Sequence, residues 1–146
     1  MRVLAYLIAE PDATEDDTAV AISLALQNGE NLKAYVWASN AQTRYKDSST
    51  IAALALTSMR LVGKTDDARA YLDTLSSSVA TSPIVLLEKG IATLEMGDTL
   101  TALSLFTQVR DSDPTADFSL EASHYIEEIQ RDRETHTGSQ DETQPA

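Results

Sequence analysis

The chain has 146 residues, of which 42% are hydrophobic and only 5% aromatic, with a formal charge of -12 and no cysteine. That length suits one domain with one core, and the acidic balance repels a phosphate backbone or an anionic membrane surface, which argues against nucleic acid as a partner. Without cysteine there is no disulfide framework, thiolate metal site or thiol nucleophile.

From the N-terminus, Met1-Arg2 and the apolar run Val3 to Ala9 have the outline of a secretory signal. The run is short, however, and Glu10-Pro11-Asp12 follows with no small-residue cleavage site. No stretch approaches the roughly 20 apolar residues of a membrane span, so the expectation is a soluble, cytoplasmic protein. Runs rich in Ala and Leu then predict helices over about 17–28, 49–61 and 83–96, alternating with helices over about 31–43, 65–77 and 99–111. Ser48-Ser49 and Ser82-Pro83 supply N-caps, and Asp113-Pro114 closes the last of these helices.

The punctuation is periodic. Gly29, Gly63 and Gly97 stand 63 - 29 = 34 and 97 - 63 = 34 residues apart, and each is followed five positions later by an alanine, Ala34, Ala68 or Ala102. A residue just past a helix C-terminus often takes positive φ, at little cost only without a side chain. The glycines therefore mark turns between paired helices, and the alanines mark close approach of the two. In the same frame Ala38, Leu72 and Phe106 align, as do Ala41, Leu75 and Val109, giving the second helix of each pair an apolar stripe at i, i+4, i+7. Ahead of the glycines the frame aligns Ile22 with Leu56 and Gly90, and Leu26 with Arg60 and Leu94.

The third unit, with Gly90, Gly97, Ala102, Phe106 and Pro114 in place, resembles a tetratricopeptide repeat along its full length. The second unit keeps Gly63 and Ala68 but has Leu56 where the pattern prefers a small residue. The first keeps Gly29 and Ala34 but has Ala38 where bulk is usual. The resemblance implies an all-α fold, a right-handed α-solenoid of three helix-turn-helix repeats over about 15–48, 49–82 and 83–116. One period earlier, Leu4 and Leu7 fall in register with Leu72 and Leu75, so residues 1–12 read as a half-repeat. Phe118, Ala122, Tyr125, Ile126 and Ile129 give an apolar face to a capping helix over 117–132; residues 1–134 then form one domain, and 135–146 a disordered polar tail.

In this family the first helices line a concave groove. By resemblance the partner-facing residues are Ala19, Ser23 and Leu26, then Ala53, Thr57 and Arg60, then Leu87, Ile91 and Leu94. These positions lack the Lys, Arg and Asn with which relatives clamp a C-terminal carboxylate, and an apolar groove suits an extended peptide or an amphipathic helix. Packing between neighbouring repeats is the competing use of the same side chains, and core filling is the expected use of Trp37.

The implied function is a protein-binding adaptor or small chaperone. One alternative is an assembly subunit, or the C-terminal fragment of a longer tetratricopeptide protein, that self-associates as a homo-oligomer through Met1 to Glu10. Another is a chaperone of the type III secretion kind, which shares the size and acidity. No enzyme activity, cofactor or metal is expected. His124 and His136 fall in different segments, the glycines build no phosphate loop, and Glu15-Asp16-Asp17 and Asp66-Asp67 sit at helix starts, where the macrodipole favours them.

Overall fold

The computed structural model describes the backbone of residues 14–143 and side chains as far as residue 134; the half-repeat expected over 1–12 lies outside the described residues. Every regular element among them is helical: α1 Glu15–Gln27, α2 Asn31–Arg44, α3 Ser49–Leu61, α4 Thr65–Thr74, α5 Ser77–Ala80, α6 Pro83–Glu95, α7 Thr99–Ser112 and α8 Asp117–Thr143. The 34-residue frame governs where helices begin. The starts of α1, α3, α6 and α8 are spaced 49 - 15 = 34, 83 - 49 = 34 and 117 - 83 = 34, and those of α2, α4 and α7 are spaced 65 - 31 = 34 and 99 - 65 = 34.

Local chemistry explains several of these starts. Thr14 caps α1 through a reciprocal capping box with Asp17, and one period later the Ser48 hydroxyl accepts from the Ile51 N–H at 3.1 Å. The acidic clusters Glu15-Asp16-Asp17 and Asp66-Asp67 occupy first helical turns, where they complement exposed N–H groups. Ser48 also donates its hydroxyl hydrogen to the Glu15 carboxylate, which ties the starts of α1 and α3 together.

The three turns are built alike. Gly29, Gly63 and Gly97 have φ of 77°, 81° and 90°. Each is followed by a residue whose N–H reaches back to the helix: Glu30 to Ala25 at 2.8 Å, Lys64 to Met59 at 2.8 Å and Asp98 to Thr93 at 3.2 Å. The glycine N–H groups bond Leu26, Arg60 and Leu94, completing the paired pattern of a Schellman motif. A Cβ at Gly63 would meet nothing within 4 Å, so the penalty of a side chain is purely conformational. Gly63→Ala is expected to lower the unfolding free energy by about 1–2 kcal/mol, measured as a shift in urea midpoint at constant m-value.

The chain divides into two compact units, Met1–Glu88 and Lys89–Ala146. In the first, α1 packs on α2 and α3, and α3 packs on α2, α4 and α5. Its core is made mostly of small and medium side chains, with Ile22, Ala25, Ala34, Ala38, Ile51, Ala55 and Val85 fully buried. Trp37 packs half-buried against this core with the Lys33 ammonium 5.6 Å from its ring centroid, in keeping with a filling role.

In the second unit α7 packs on α8. Phe106 is fully buried and stacks on Tyr125, with centroids 4.8 Å apart and planes 7° from parallel. On another side of the ring lies Gly90, where an added Cβ would stand 2.7 Å from Cε1 of Phe106. Buried Ser119 at the foot of α8 donates to the Val109 carbonyl at 3.1 Å and contacts the Asp113 carbonyl, satisfying the frayed end of α7.

Two helix ends differ from the sequence expectation. α4 stops at Thr74 rather than near 77, because the Thr74 hydroxyl bonds the Tyr71 carbonyl at 2.7 Å and Leu75 turns to extended backbone at ψ 144°. Ser77 then begins α5, whose Val79 is buried. α8 continues to Thr143, past the capping helix expected to end at 132 and into the segment expected to be a disordered tail. The spacings Glu127 to Arg131 and Glu128 to Arg131 put opposite charges one turn apart on the exposed side of the helix just ahead of that extension.

Candidate functional site

The first helices carry the candidate groove, and α1 and α3 lie against each other within the first unit. Ala19, Ser23 and Leu26 on α1 and Ala53 and Thr57 on α3 are half-buried. Ala19, Leu26 and Ala53 also touch the core beneath, so this face is shallow, with two hydroxyls and small aliphatic groups at its surface. The Thr57 hydroxyl donates to the Ala53 carbonyl at 2.9 Å and keeps an acceptor lone pair toward solvent.

The remaining positions divide differently. Arg60 is committed to Glu88 at 3.6 Å, with the two side chains 19% and 12% exposed, which makes it an internal strut of the first unit. Leu87 and Ile91 on α6 are 4% and 3% exposed. Surfaces that small give a partner almost nothing to hold, so these two are packing residues as the chain stands. Leu94, one turn further, is half-buried. An apolar stripe on a helix looks the same in sequence whether it meets a partner or a neighbouring helix, and the frame carried no sign that α6 is the more deeply covered of the first helices.

The residues expected to define the repeat are placed as follows. Ala34, Ala68 and Ala102 are 0%, 2% and 0% exposed, and Phe106 is fully buried against Gly90. Pro114 follows the end of α7.

No family model, curated protein or solved structure matches this chain. The site is therefore read from its own residues.

Among the described residues no group of three or more His, Asp or Glu is placed to hold a metal ion, and no helix is long and apolar enough to cross a membrane. His124 lies exposed on α8 beside Glu121, Tyr125 and Glu128. Tyr71 lies on the inner side of α4, where burial raises its phenol pKa above the ordinary 10.0. The folded state thus keeps this proton when the unfolded chain has begun to lose it. The associated stability is complete below pH 10 and fades as pH rises toward the folded-state pKa. Thermal midpoints followed from roughly pH 9 to 11 should fall more steeply for the native chain than for Tyr71→Phe, which has no phenol to ionise.

Sequence reasoning left three features unseen: the Ser119 hydroxyl between α7 and α8, the Arg60 to Glu88 ion pair, and a cleft beside Tyr71. The first had a local signal, a serine two residues into a helix that follows Asp-Pro.

Proposed function

We propose that this chain is a protein-binding module, a tetratricopeptide-like α-solenoid of three helix pairs whose first-helix face receives a peptide or helix of a partner. The observation that carries this reading is the strict 34-residue recurrence of helix starts together with three identical left-handed glycine turns. A helix pair repeated without change of register stacks on its neighbour in a constant way, and constant stacking makes an extended surface rather than an enclosed pocket. The half-buried face of Ala19, Ser23, Leu26, Ala53 and Thr57 is of the kind that extended peptides use, with backbone hydrogen-bonding to hydroxyls and small side chains allowing close approach. The net charge of -12 favours a basic partner segment.

The test is a capture experiment followed by affinity measurements. The native chain, Ser23→Arg, Thr57→Arg and the outer-face control Leu32→Arg are compared for binding of the captured protein, with helical content and melting checked for each. Loss of at least about tenfold in affinity in the two first-helix variants, with the control unchanged, is expected. Unchanged affinity in folded Ser23→Arg and Thr57→Arg would remove the groove from the mechanism.

A further inference from the structure

Helices α2 and α7 each run 14 residues, whereas α4, in the same place of its pair, runs only 10. Its early end leaves a cleft of about 580 Å³ in the first unit, between the C-terminal end of α2 and the inner side of α4. That volume lies in the range of specific ligand sites, roughly 300–1,000 Å³. Met59, Leu75 and Tyr71 give it apolar walls, and Gln42, Asp47 and Asp67 lie among the polar lining. The Gln42 carbonyl oxygen is buried and has no hydrogen-bond partner among the described residues. A buried acceptor left unpaired is costly, and a ligand N–H would recover that loss.

We propose that this cleft binds one apolar residue of a basic, extended peptide, whose backbone N–H donates to Gln42. The proposal rests on the protein-binding reading above but uses a different surface, lined mostly by the second helices α2 and α4, with Met59 of α3. Three observations converge on this chemistry. The orphan acceptor asks for an amide-type donor, the Met59 and Leu75 walls accept an aliphatic side chain, and carboxylates at 47 and 67 outnumber the single ammonium of Lys46 among the lining residues. Asp67 holds Lys64 only at 4.0 Å and in solvent, an ion pair weak enough for a peptide cation to displace. The Tyr71 phenol, protonated throughout the neutral range as any tyrosine is, can donate to a peptide carbonyl.

The test is an amide chemical-shift titration of the full chain with two capped tripeptides, acetyl-Lys-Leu-Lys-amide and acetyl-Glu-Leu-Glu-amide. Saturable shifts centred on Gln42, Tyr71, Thr74 and Leu75 are expected with the basic peptide, and binding about tenfold weaker with the acidic one. Ala70→Phe, at an exposed position that lines the cleft, should fill the space and weaken the basic peptide by about tenfold while leaving the helical spectrum intact. Gln42→Leu, which removes the acceptor without opening space, should weaken it as well. Ser23→Arg and Thr57→Arg should have no effect on this titration, so failure of the groove and failure of the cleft are separable. Absence of saturation, equal response to both peptides, or shifts confined to Ser23, Leu26 and Thr57 would each overturn the proposal.

Discussion

Phe106→Ala is expected to destabilise the chain by about 3–5 kcal/mol, the largest effect of any single truncation considered. The ring is fully buried, stacked on Tyr125 at 4.8 Å and pressed against the backbone of Gly90. Removing it loses the transfer free energy of an aromatic side chain and leaves a void that α7 and α8 cannot both close. From the opposite direction, Gly90→Ala is expected to lose about 1–3 kcal/mol, because its Cβ would stand 2.7 Å from a ring that has no free space to retreat into. The two substitutions share one volume and should not add. With alanine at 106 the Cβ at 90 has room, so the double variant should be more stable than the sum of the single losses implies. Urea unfolding of the four chains measures that coupling, and strict additivity would mean the close contact carries no strain.

Ala34→Leu is the second large effect expected, with a loss of about 1–3 kcal/mol or more. Ala34 sits early in α2, fully buried where α2 crosses α1, and three additional carbons there must separate the helices or drive neighbouring side chains from their rotamers. The 34-residue frame extends the same expectation to Ala68 and Ala102, which are buried to a similar degree. Leu32→Glu, two residues earlier in α2 and 65% exposed, is the control and should change stability by less than about 0.5 kcal/mol. A ranking in which the alanine substitution proved as mild as the control would show that the helix pairs are looser than their burial indicates.

The helix order was legible in the sequence because its markers are local. A left-handed glycine turn, a hydroxyl cap and a small residue at a crossing each have a chemical reason to recur at fixed spacing, and Gly29, Gly63 and Gly97 alone set the frame for six helices. The deviations from the pattern were harder to judge until pairs of positions were considered together. Ile22 aligns with Gly90, and Ala38 aligns with Phe106: a larger residue on the first helix stands with a small one on the second in the first unit, and the sizes are reversed in the third. Ile22 and Ala38 are both fully buried in the same core, so the small Ala38 is compensated and is no defect of that repeat.

The candidate site was less legible, for a physical reason. Burial of Leu87 and Ile91 depends on what covers α6, and Arg60 finds Glu88 across 28 residues of chain (88 - 60 = 28). Neither is encoded in periodicity. The early end of α4 has a local signal only in hindsight, in the run Leu75-Ser76-Ser77-Ser78, whose hydroxyls compete with helix hydrogen bonds. The continuation of α8 beyond 132 has no such marker, since that stretch carries no apolar face and includes the weak helix formers Thr135, Thr137 and Gly138.

The proposed nesting of successive helix pairs can be measured directly, because the absence of native cysteine allows clean spin labelling. Lys33, Asp67 and Thr101 occupy one frame position, are exposed, and lie early in α2, α4 and α7. Double electron–electron resonance on the three pairwise cysteine variants gives the distances between these positions. Stacked repeats predict equal distances for 33 to 67 and for 67 to 101, with a 33 to 101 distance clearly longer than either. A 33 to 101 distance no longer than the other two would mean that the helices close into a bundle, and the first-helix binding face would go with it.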